Sequence, residues 1–316
     1  MRIVSPGTGV ACCSMSRIAY FGPQGTFTEQ AARALAPEGE LVPVETISAA
    51  LAAVREGTAE RACVPVENSV EGPVTATLDG LAGDAPLVAV AEALLPIHFA
   101  VLAAPGVAVV RTVASHPHAL AQVREWLERN LPEAHTVAAP STAAAAVAVQ
   151  RGEYDAAVAA PVAVEHYPLD VLAEGVADVP DARTRFLLLG PPGRLPGPTG
   201  ADRTSVVVAA ANRTGSLAEL LTELALRGIN LTRIDARPIR GNFGLYRFFL
   251  DLEGHIAEPR VGDALAALRR RCGDVRFLGS HPRADGVRTT VEPGAADTDF
   301  VAAGEWVDAV RRGDRA

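Results

Sequence analysis

The chain has 316 residues, which is long for one domain and fits two. Apolar residues make up 49% of it, enough to bury a sizeable core, and the net charge is −8. All 29 basic residues are arginine, because the sequence contains no lysine. The missing lysine excludes enzymes that form a Schiff base on lysine and phosphate loops of the G-x-x-x-x-G-K-[ST] type. The alternative explanation of the missing lysine is codon bias in a GC-rich genome.

Composition also limits the partners and the compartment. The acidic balance argues against nucleic acid, whose non-specific binding needs a basic surface. No run of about 18 apolar residues is free of charge, so we expect no membrane span. The cysteines form no C-x-x-C pair and no metal-ligand spacing with histidine; they are Cys12, Cys13, Cys63 and Cys272. We therefore expect a reduced, cytoplasmic protein without a metal site.

Three stretches divide the chain. Residues 1–16 read as an extension, because Met15 stands directly before an apolar strand; we expect Met15 to be the natural start and residues 1–14 to be disordered. Residues 190–202 hold four prolines and four glycines, which no helix or central strand tolerates. They predict a linker at 191–202 between units at 17–190 and 203–283. The tail at 284–316 is acidic and polar, and we expect it to be mobile or loosely docked, with one short helix at 305–312.

The first unit alternates strands with helices. We predict strands at Arg17–Phe21, 62–66, 97–103 and 111–115, and helices from Thr26 or Thr28 to Ala36, at 48–56 and at 117–130. Residues 47–66 and 141–160 each read as a capped, alanine-rich helix, a glycine stop and a buried strand. This repeat predicts two similar lobes with a ligand cleft between them, although chance similarity also explains it.

The second unit has a cleaner pattern. We predict strands at 204–211, 230–237, 244–252 and 274–278, and helices at 216–227 and 261–272. The order βαββαβ in about 80 residues is the ferredoxin-like arrangement. Because many functions use that fold, the order alone predicts no activity.

Small polar groups are dense in four stretches of the first unit, next to apolar strands. They are residues 22–28 (GPQGTFT), 65–72 (PVENSVEG), 115–122 (SHPHALAQ) and 181–186 (DARTRF). Ser115 ends a predicted strand, and Gln122 follows two helical turns later, on the same side of the helix. Each stretch alone reads as a turn or a helix cap. The four together indicate a functional site.

These stretches carry a resemblance. Residues 20–28, 65–69, 115–117 and 184–186 resemble the motif set of the prephenate dehydratase family, and the βαββαβ unit resembles the ACT regulatory domain that follows it. The resemblance spans residues 17–283. It implies an α/β fold: a two-lobed, periplasmic-binding-protein-like catalytic domain followed by a ferredoxin-like ACT domain. It also implies conversion of prephenate to phenylpyruvate, water and CO2 for L-phenylalanine biosynthesis, with no cofactor and no metal.

The resemblance assigns catalytic roles to four residues, Thr184, Asn68, Ser115 and Gln122. It implies that Thr184 acts at the C4 hydroxyl of prephenate. Because a threonine hydroxyl is a poor acid near neutral pH, we expect it to work as an oriented hydrogen-bond donor. Thr184 also reads as an ordinary β-branched strand residue.

The resemblance implies a second, substrate-binding set of residues: Arg185, Phe186, Glu67, Ser69, Thr26 and His116. In a chain without lysine, arginine or a protonated histidine must supply any cationic side chain for the substrate dianion. Arg185 is the first candidate, since a guanidinium binds a carboxylate in a bidentate fork. It can instead form an ion pair with Asp181 or Glu67. His116 can instead bond the backbone at the start of its helix.

In the ACT unit the resemblance implies L-phenylalanine as effector, bound between paired ACT domains of a dimer or tetramer. Two stretches match the family there, with departures: Asn212, Gly215, Ser216, Leu217 and Ala218; and Asp235, Ala236, Arg237 and Pro238. Gly215 precedes a helix whose free N–H groups attract a carboxylate. Asp235 can meet an ammonium group.

Three other functions fit parts of the sequence. Arogenate dehydratase performs the same chemistry on the amino-acid form of the substrate and shares these motifs. A non-catalytic amino-acid sensor with two lobes has no need of the motifs around Asn68 and Thr184. A ferredoxin-like RNA-binding module would need an aromatic, basic strand that this unit lacks.

Overall fold

A computed structural model describes residues 15–83, 85–239, 241–242 and 244–314. The predicted disorder of residues 1–14 lies outside the described residues. No helix in the described ranges combines the length and apolarity needed to cross a membrane.

Residues 17–190 form two α/β lobes, as predicted. In chain order the elements are β1 (Arg17–Phe21), α1 (Phe27–Leu35), β2 (Glu40–Val44), α2 (Ile47–Arg55), β3 (Arg61–Asn68), β4 (Gly72–Pro73), α3 (Thr75–Leu81), β5 (Val88–Pro96), β6 (Ala100–Ala103), β7 (Thr112–Ser115), α4 (Pro117–Gln122), α5 (Arg124–Asn130), β8 (His135–Ala138), α6 (Thr142–Gln150), β9 (Ala156–Ala159), a 3₁₀ turn (Pro161–Glu165), β10 (Asp170–Glu174) and β11 (Arg183–Gly190). The first lobe carries the sheet β5-β11-β3-β1-β2, with β4 on β3. The second lobe carries the sheet β10-β6-β9-β7-β8.

Short polar side chains start the helices that open on the cleft between the lobes. The Thr26 hydroxyl accepts the N–H of Glu29 at 3.1 Å, so α1 begins after Thr26. Ser141 caps α6 in the same way, through the N–H of Ala144 at 3.0 Å. The repeat in the sequence corresponds to two real units, α2 with β3 and α6 with β9.

Two predicted elements of the second lobe differ from the structure. The helix at 117–130 is broken at Val123, because the Asp178 carboxylate accepts the N–H groups of Glu125 and Trp126, each at 2.9 Å, and starts a new helix. The strand at 97–103 shortens to β6, because the N–H of Ile97 donates to the carbonyl of Ala182 where the chain crosses between lobes. Both differences depend on partners more than 50 residues away.

The second unit has the predicted βαββαβ order. Its elements are β12 (Asp202–Ala209), α7 (Ser216–Ala225), β13 (Leu231–Pro238), β14 (Tyr246–Glu253), α8 (Pro259–Arg271) and β15 (Asp274–Pro282), and α9 (Asp297–Arg312) follows. The four strands pair antiparallel in the order β13-β14-β12-β15, and α7 and α8 cover one face. Helix α9 is longer than the predicted helix at 305–312, packs against α8 and buries no residue.

The two units share one sheet. Strand β15 lies parallel to β5 and pairs with it at Gly279 and Ala89, which joins ten strands of the described chain. A Cβ on Gly279 would collide with the backbone of Ala89. Phe249 and Leu278 of the second unit pack into the core of the first lobe. The proline- and glycine-rich linker indicated two separate units. It did not indicate that their sheets pair or that their cores pack together.

Candidate active site

The main cleft lies between the two lobes and has a volume of about 670 Å³. All four polar stretches of the first unit contribute to its lining. Six of the predicted site residues line it: Thr26, Asn68, His116, Gln122, Thr184 and Phe186. Four other predictions, Ser115, Glu67, Ser69 and Arg185, lie elsewhere.

Thr184 and Asn68 form a pair on the cleft side of two adjacent strands. The Asn68 amide Nδ2 donates to the Thr184 hydroxyl at 2.8 Å. The amide orientation follows from the other end of the side chain, where Asn68 Oδ1 accepts the N–H groups of Val70 and Glu71 at 2.8 and 2.9 Å. A hydroxyl has one proton and two lone pairs. Because the Thr184 oxygen accepts from Asn68, its proton is left free to donate into the cleft.

Gln122 reaches the cleft from the second lobe. Its Nε2 lies 3.4 Å from Glu71 Oε1 of the first lobe, so this contact crosses between the lobes. Its Oε1 has no hydrogen-bond partner among the described residues, although the side chain is only 6% exposed. A buried, unpartnered acceptor that lines a cleft is a position for a ligand donor.

His116 begins α4 and also lines the cleft. Its Nδ1 accepts the backbone N–H of His118 at 3.2 Å, so the neutral ring carries its proton on Nε2. Burial and the neighbouring His118 lower the pKa of His116. The ring therefore stays neutral near pH 7, which does not fit the alternative of a protonated histidine as the cation for the substrate.

Aromatic side chains from both lobes form an apolar wall. Phe21 and Phe186 lie on strands of the first lobe, and Phe27 packs edge-to-face on Phe99 of the second lobe at 5.7 Å between ring centres. Such a wall suits a flat, six-membered carbon ring.

The N-termini of two helices face the cleft. No arginine stands among the described residues that line it. The cleft is instead lined by Thr26, Phe27 and Thr28 at the start of α1 and by Ser141 and Thr142 at the start of α6. The first N–H groups of a helix have no intrahelical partner and attract anions.

Arg185, Glu67 and Ser69 lie on the opposite side of the sheet from the cleft. Side chains alternate along β11, so Thr184 and Phe186 line the cleft while Arg185 points to the second unit. Arg185 forms an ion pair with Glu67 at 3.3 Å, which is the alternative role that the sequence left open. These residues line a second cavity of about 260 Å³ between the units. Direct contact of this group with a substrate in the cleft does not fit that geometry.

Ser115 is fully buried at the end of β7. Its hydroxyl donates to the carbonyl of Val158 at 2.5 Å and ties β7 to β9. This geometry favours a structural role, and the catalytic role of Ser115 stays a prediction that no contact with the cleft supports. The side chain does not reach the cleft lining, and its proton is already donated.

The predicted effector residues gather at one end of the second sheet. In the strand register, Arg237 of β13 pairs with Arg247 of β14, and Arg247 pairs with Ala209 at the end of β12. The end of β13 therefore lies near the loop that connects β12 to α7. The first group lies in that loop and in the first turn of α7: Asn212, Gly215, Ser216, Leu217 and Ala218. The second group lies at the end of β13: Asp235, Ala236, Arg237 and Pro238. Gly215 has φ of 80°, a left-handed conformation that favours glycine.

Two of these residues face the first lobe. Arg237 binds Asp79 of α3 through two hydrogen bonds of 3.0 and 2.9 Å. Asp235 lies 3.0 Å from Arg233, and burial raises the pKa of Asp235. The predicted effector region is therefore in contact with the first lobe through Arg237.

Comparison with known proteins agrees with this geometry. The family model described as prephenate dehydratase matches residues 18–194, and the ACT domain model matches residues 204–270. The chain belongs to the prephenate dehydratase family. It is 72% identical to "Prephenate dehydratase" of Amycolatopsis methanolica over 96% of this chain and all of that protein. It is 49% identical to the Mycolicibacterium vanbaalenii protein of the same name, over 95% of this chain and 99% of the other.

Solved structures of the family have the same fold. Prephenate dehydratase of Arthrobacter aurescens, solved in complex with L-Phe, superposes with a TM-score of 0.89 and 44% identity, covering 94% of this chain and 99% of the other. GqqA, described as a quorum quenching acylase, superposes with a TM-score of 0.74 and 31% identity, over 84% and 97% of the two chains. The resemblance read from the motifs is thus confirmed, and so are the two lobes and the ACT domain.

Sequence reasoning missed part of the family's cleft in this chain. Glu71 contacts Gln122 and stands only three residues after Asn68, but the sequence prediction names Glu67 instead. Ser141 and Thr142 were read as a helix start and not as a site. The sequence did carry a signal for Ser141, because its capping pattern marks the N-terminus of α6. Only the fold, however, places that N-terminus at the cleft.

Proposed function

We propose that the chain catalyses the decarboxylating dehydration of prephenate to phenylpyruvate, water and CO2, a step of L-phenylalanine biosynthesis. The observation that carries the proposal is the Thr184 hydroxyl, held by Asn68 at 2.8 Å with its proton free, in the cleft of a chain that belongs to the prephenate dehydratase family.

The residues of the cleft match the demands of this reaction. The bond from C1 to the ring carboxylate breaks, its electron pair enters the ring, and the bond from C4 to the hydroxyl breaks. The departing hydroxide takes up a proton from solvent water and leaves as water. The proton of Thr184 stabilises the developing charge on that oxygen by a hydrogen bond, without a full proton transfer from threonine. The unpartnered Oε1 of Gln122 accepts a substrate donor.

Binding of the dianion uses the backbone more than charged side chains. The N-termini of α1 and α6 hold the two carboxylates, and the neutral His116 donates from Nε2. The wall that contains Phe186 packs against the ring. No step of the proposed reaction needs a metal or a cofactor.

Regulation belongs to the same proposal. The ACT domain binds L-phenylalanine near Gly215 and Asp235 and controls the dehydratase. The relative from Arthrobacter aurescens, which was solved in complex with L-Phe, supports this part. Pairing of ACT domains makes the enzyme a homo-oligomer, a dimer or a tetramer, and we place the enzyme in the cytoplasm.

The test is an assay of the purified full-length chain with prephenate, in which phenylpyruvate is measured by its absorbance in alkali. Arogenate in competition distinguishes the second candidate substrate, since its product is phenylalanine. Titration with phenylalanine and with tyrosine tests the regulation. Folded protein that forms neither product contradicts the proposal and leaves the non-catalytic sensor.

A further inference from the structure

Arg185 connects the catalytic strand β11 to the ACT domain. Its Nη2 lies 2.5 Å from Asp251 Oδ2 on β14, and its Nη1 lies 3.2 Å from Glu92 on β5. The side chain is only 6% exposed. Burial alone would lower the pKa of Arg185, but the charges of Asp251 and Glu92 outweigh it and raise the pKa. The guanidinium is therefore a permanent charge between the two domains.

The contacts continue into the ACT sheet. Asp251 Oδ2 also accepts from Arg233 Nε at 2.9 Å, and Arg233 Nη1 lies 3.0 Å from Asp235 Oδ2. Four side chains thus form an unbroken ion-pair chain, Asp235–Arg233–Asp251–Arg185. Its first member is the residue predicted to meet the ammonium group of the effector.

The other end of the ion-pair chain lies directly behind the cleft. In the register of β11 and β3, Thr184 pairs with Asn68 and Arg185 pairs with Glu67. The hydrogen bond between Thr184 and Asn68 lies on the cleft face, and the ion pair between Arg185 and Glu67 lies on the opposite face. Because the two pairs share one stretch of backbone, a shift of Arg185 also shifts the donor hydroxyl of Thr184.

An effector has a physical means of acting on this chain. An ammonium group beside Asp235 competes with Arg233 for the same carboxylate and so changes the charges that surround Asp251 and Arg185. We propose that the ion-pair chain couples the effector site of the ACT domain to the Thr184–Asn68 pair, with Arg185 as a positioning residue and not a substrate ligand. This inference rests on the regulation described under the proposed function.

The experiment compares the full-length wild type with Arg233→Gln, which cuts the chain between Asp235 and Asp251. Arg227→Gln is the matched control. Arg227 also bridges two carboxylates, but these belong to Glu223 of α7 and Asp263 of α8 and are not part of the ion-pair chain. Hydrogen–deuterium exchange of residues 183–188 is measured with and without L-phenylalanine, and phenylalanine binding is measured by calorimetry. This exchange readout does not depend on turnover.

We expect phenylalanine to change the exchange of β11 in the wild type and in Arg227→Gln but not in Arg233→Gln, which still binds it. In the kinetic arm, we expect phenylalanine to change kcat/KM of the wild type by about 5- to 150-fold and that of Arg233→Gln by about twofold or less. Arg233→Lys gives a second variant if Arg233→Gln does not fold, since one ammonium cannot replace both nitrogens of the bridge.

Three results overturn the inference. They are no binding of phenylalanine to the wild type, no effect of bound phenylalanine on β11, and a full effect on β11 in both Arg233 variants. Failure of the dehydratase assay is a separate result, because it contradicts the proposed function while the exchange measurement still decides the coupling.

Discussion

Thr184 owes its chemistry to the side chain beside it. The hydroxyl can either donate to Asn68 or accept from it, and only the second arrangement leaves a proton for the substrate. The backbone N–H groups of Val70 and Glu71 decide the matter, because they occupy the Asn68 carbonyl oxygen and turn the amide nitrogen toward Thr184. A donor role that the motif only implied thus acquires a definite geometry.

The Thr184–Asn68 pair gives a prediction for single substitutions. Thr184→Val should lower kcat by about 10²- to 10³-fold, the usual effect of removing one donor to a developing oxyanion, with KM much less affected. Thr184→Ser should keep most of the activity. Asn68→Asp should also lower kcat, because a carboxylate draws the threonine proton away from the cleft. Steady-state kinetics on prephenate check all three.

Thr77→Val is the matched control for Thr184→Val. Thr77 is fully buried and does not line the cleft, and its hydroxyl donates to the carbonyl of Pro65 at 2.5 Å. We expect this variant to lose about 1 kcal/mol of unfolding free energy with kcat unchanged. An unchanged kcat in Thr184→Val would remove Thr184 from its role.

At the scale of elements, two helix N-termini and no arginine face the cleft in the described part of the chain. The absence of lysine led to an expectation that an arginine holds the dianion, yet Arg185 points away from the cleft. Helices α1 and α6 instead turn their N-termini to it, each with a hydroxyl cap on Thr26 or Ser141. Under the proposed function, an acidic protein can hold an anionic substrate in this way, because oriented peptide groups attract anions.

Helix α6 gives a prediction with two opposite signs. Thr142→Asp puts a negative charge in the first turn of α6, which should stabilise the helix by about 0.3–1 kcal/mol. The same charge should repel prephenate and raise KM severalfold. Thr298→Asp, in the first turn of α9 away from the cleft, is the control and should leave KM unchanged. Urea unfolding and initial rates measure both effects, and an unchanged KM in Thr142→Asp would exclude α6 as a carboxylate site.

At the scale of the whole molecule, buried charges fasten the catalytic and ACT domains together. Asp251 and Glu92 are buried, which alone would raise the pKa of each carboxyl. Arg185 and Arg203 lie near both carboxylates, and Arg233 lies near Asp251; their charges outweigh burial and lower the pKa of each carboxyl. A buried ion pair broken by removal of one partner costs about 3–5 kcal/mol, because the remaining charge is left without compensation.

Low pH should therefore reduce the stability of the protein. A carboxyl with a lowered pKa in the folded state stabilises fully above its unfolded value of about 4, and this contribution disappears as the pH falls through the folded value. We expect the free energy of unfolding to decline below about pH 4. Asp251→Asn should be less stable at pH 7 and should lose less on acidification. Urea titrations at pH 7, 4 and 3 measure the difference, and equal losses in both proteins would contradict it.

The sequence by itself determined the local elements and the family. The cap at Thr26, the βαββαβ order and the four polar stretches were readable, because capping and periodicity act over a few residues. Only the tertiary structure decided which face each motif residue takes. Arg185 meets Asp251, 66 residues away, and Ser115 meets Val158, 43 residues away. The partner of a buried charge or hydroxyl depends on strand register and domain contact, which no local pattern encodes.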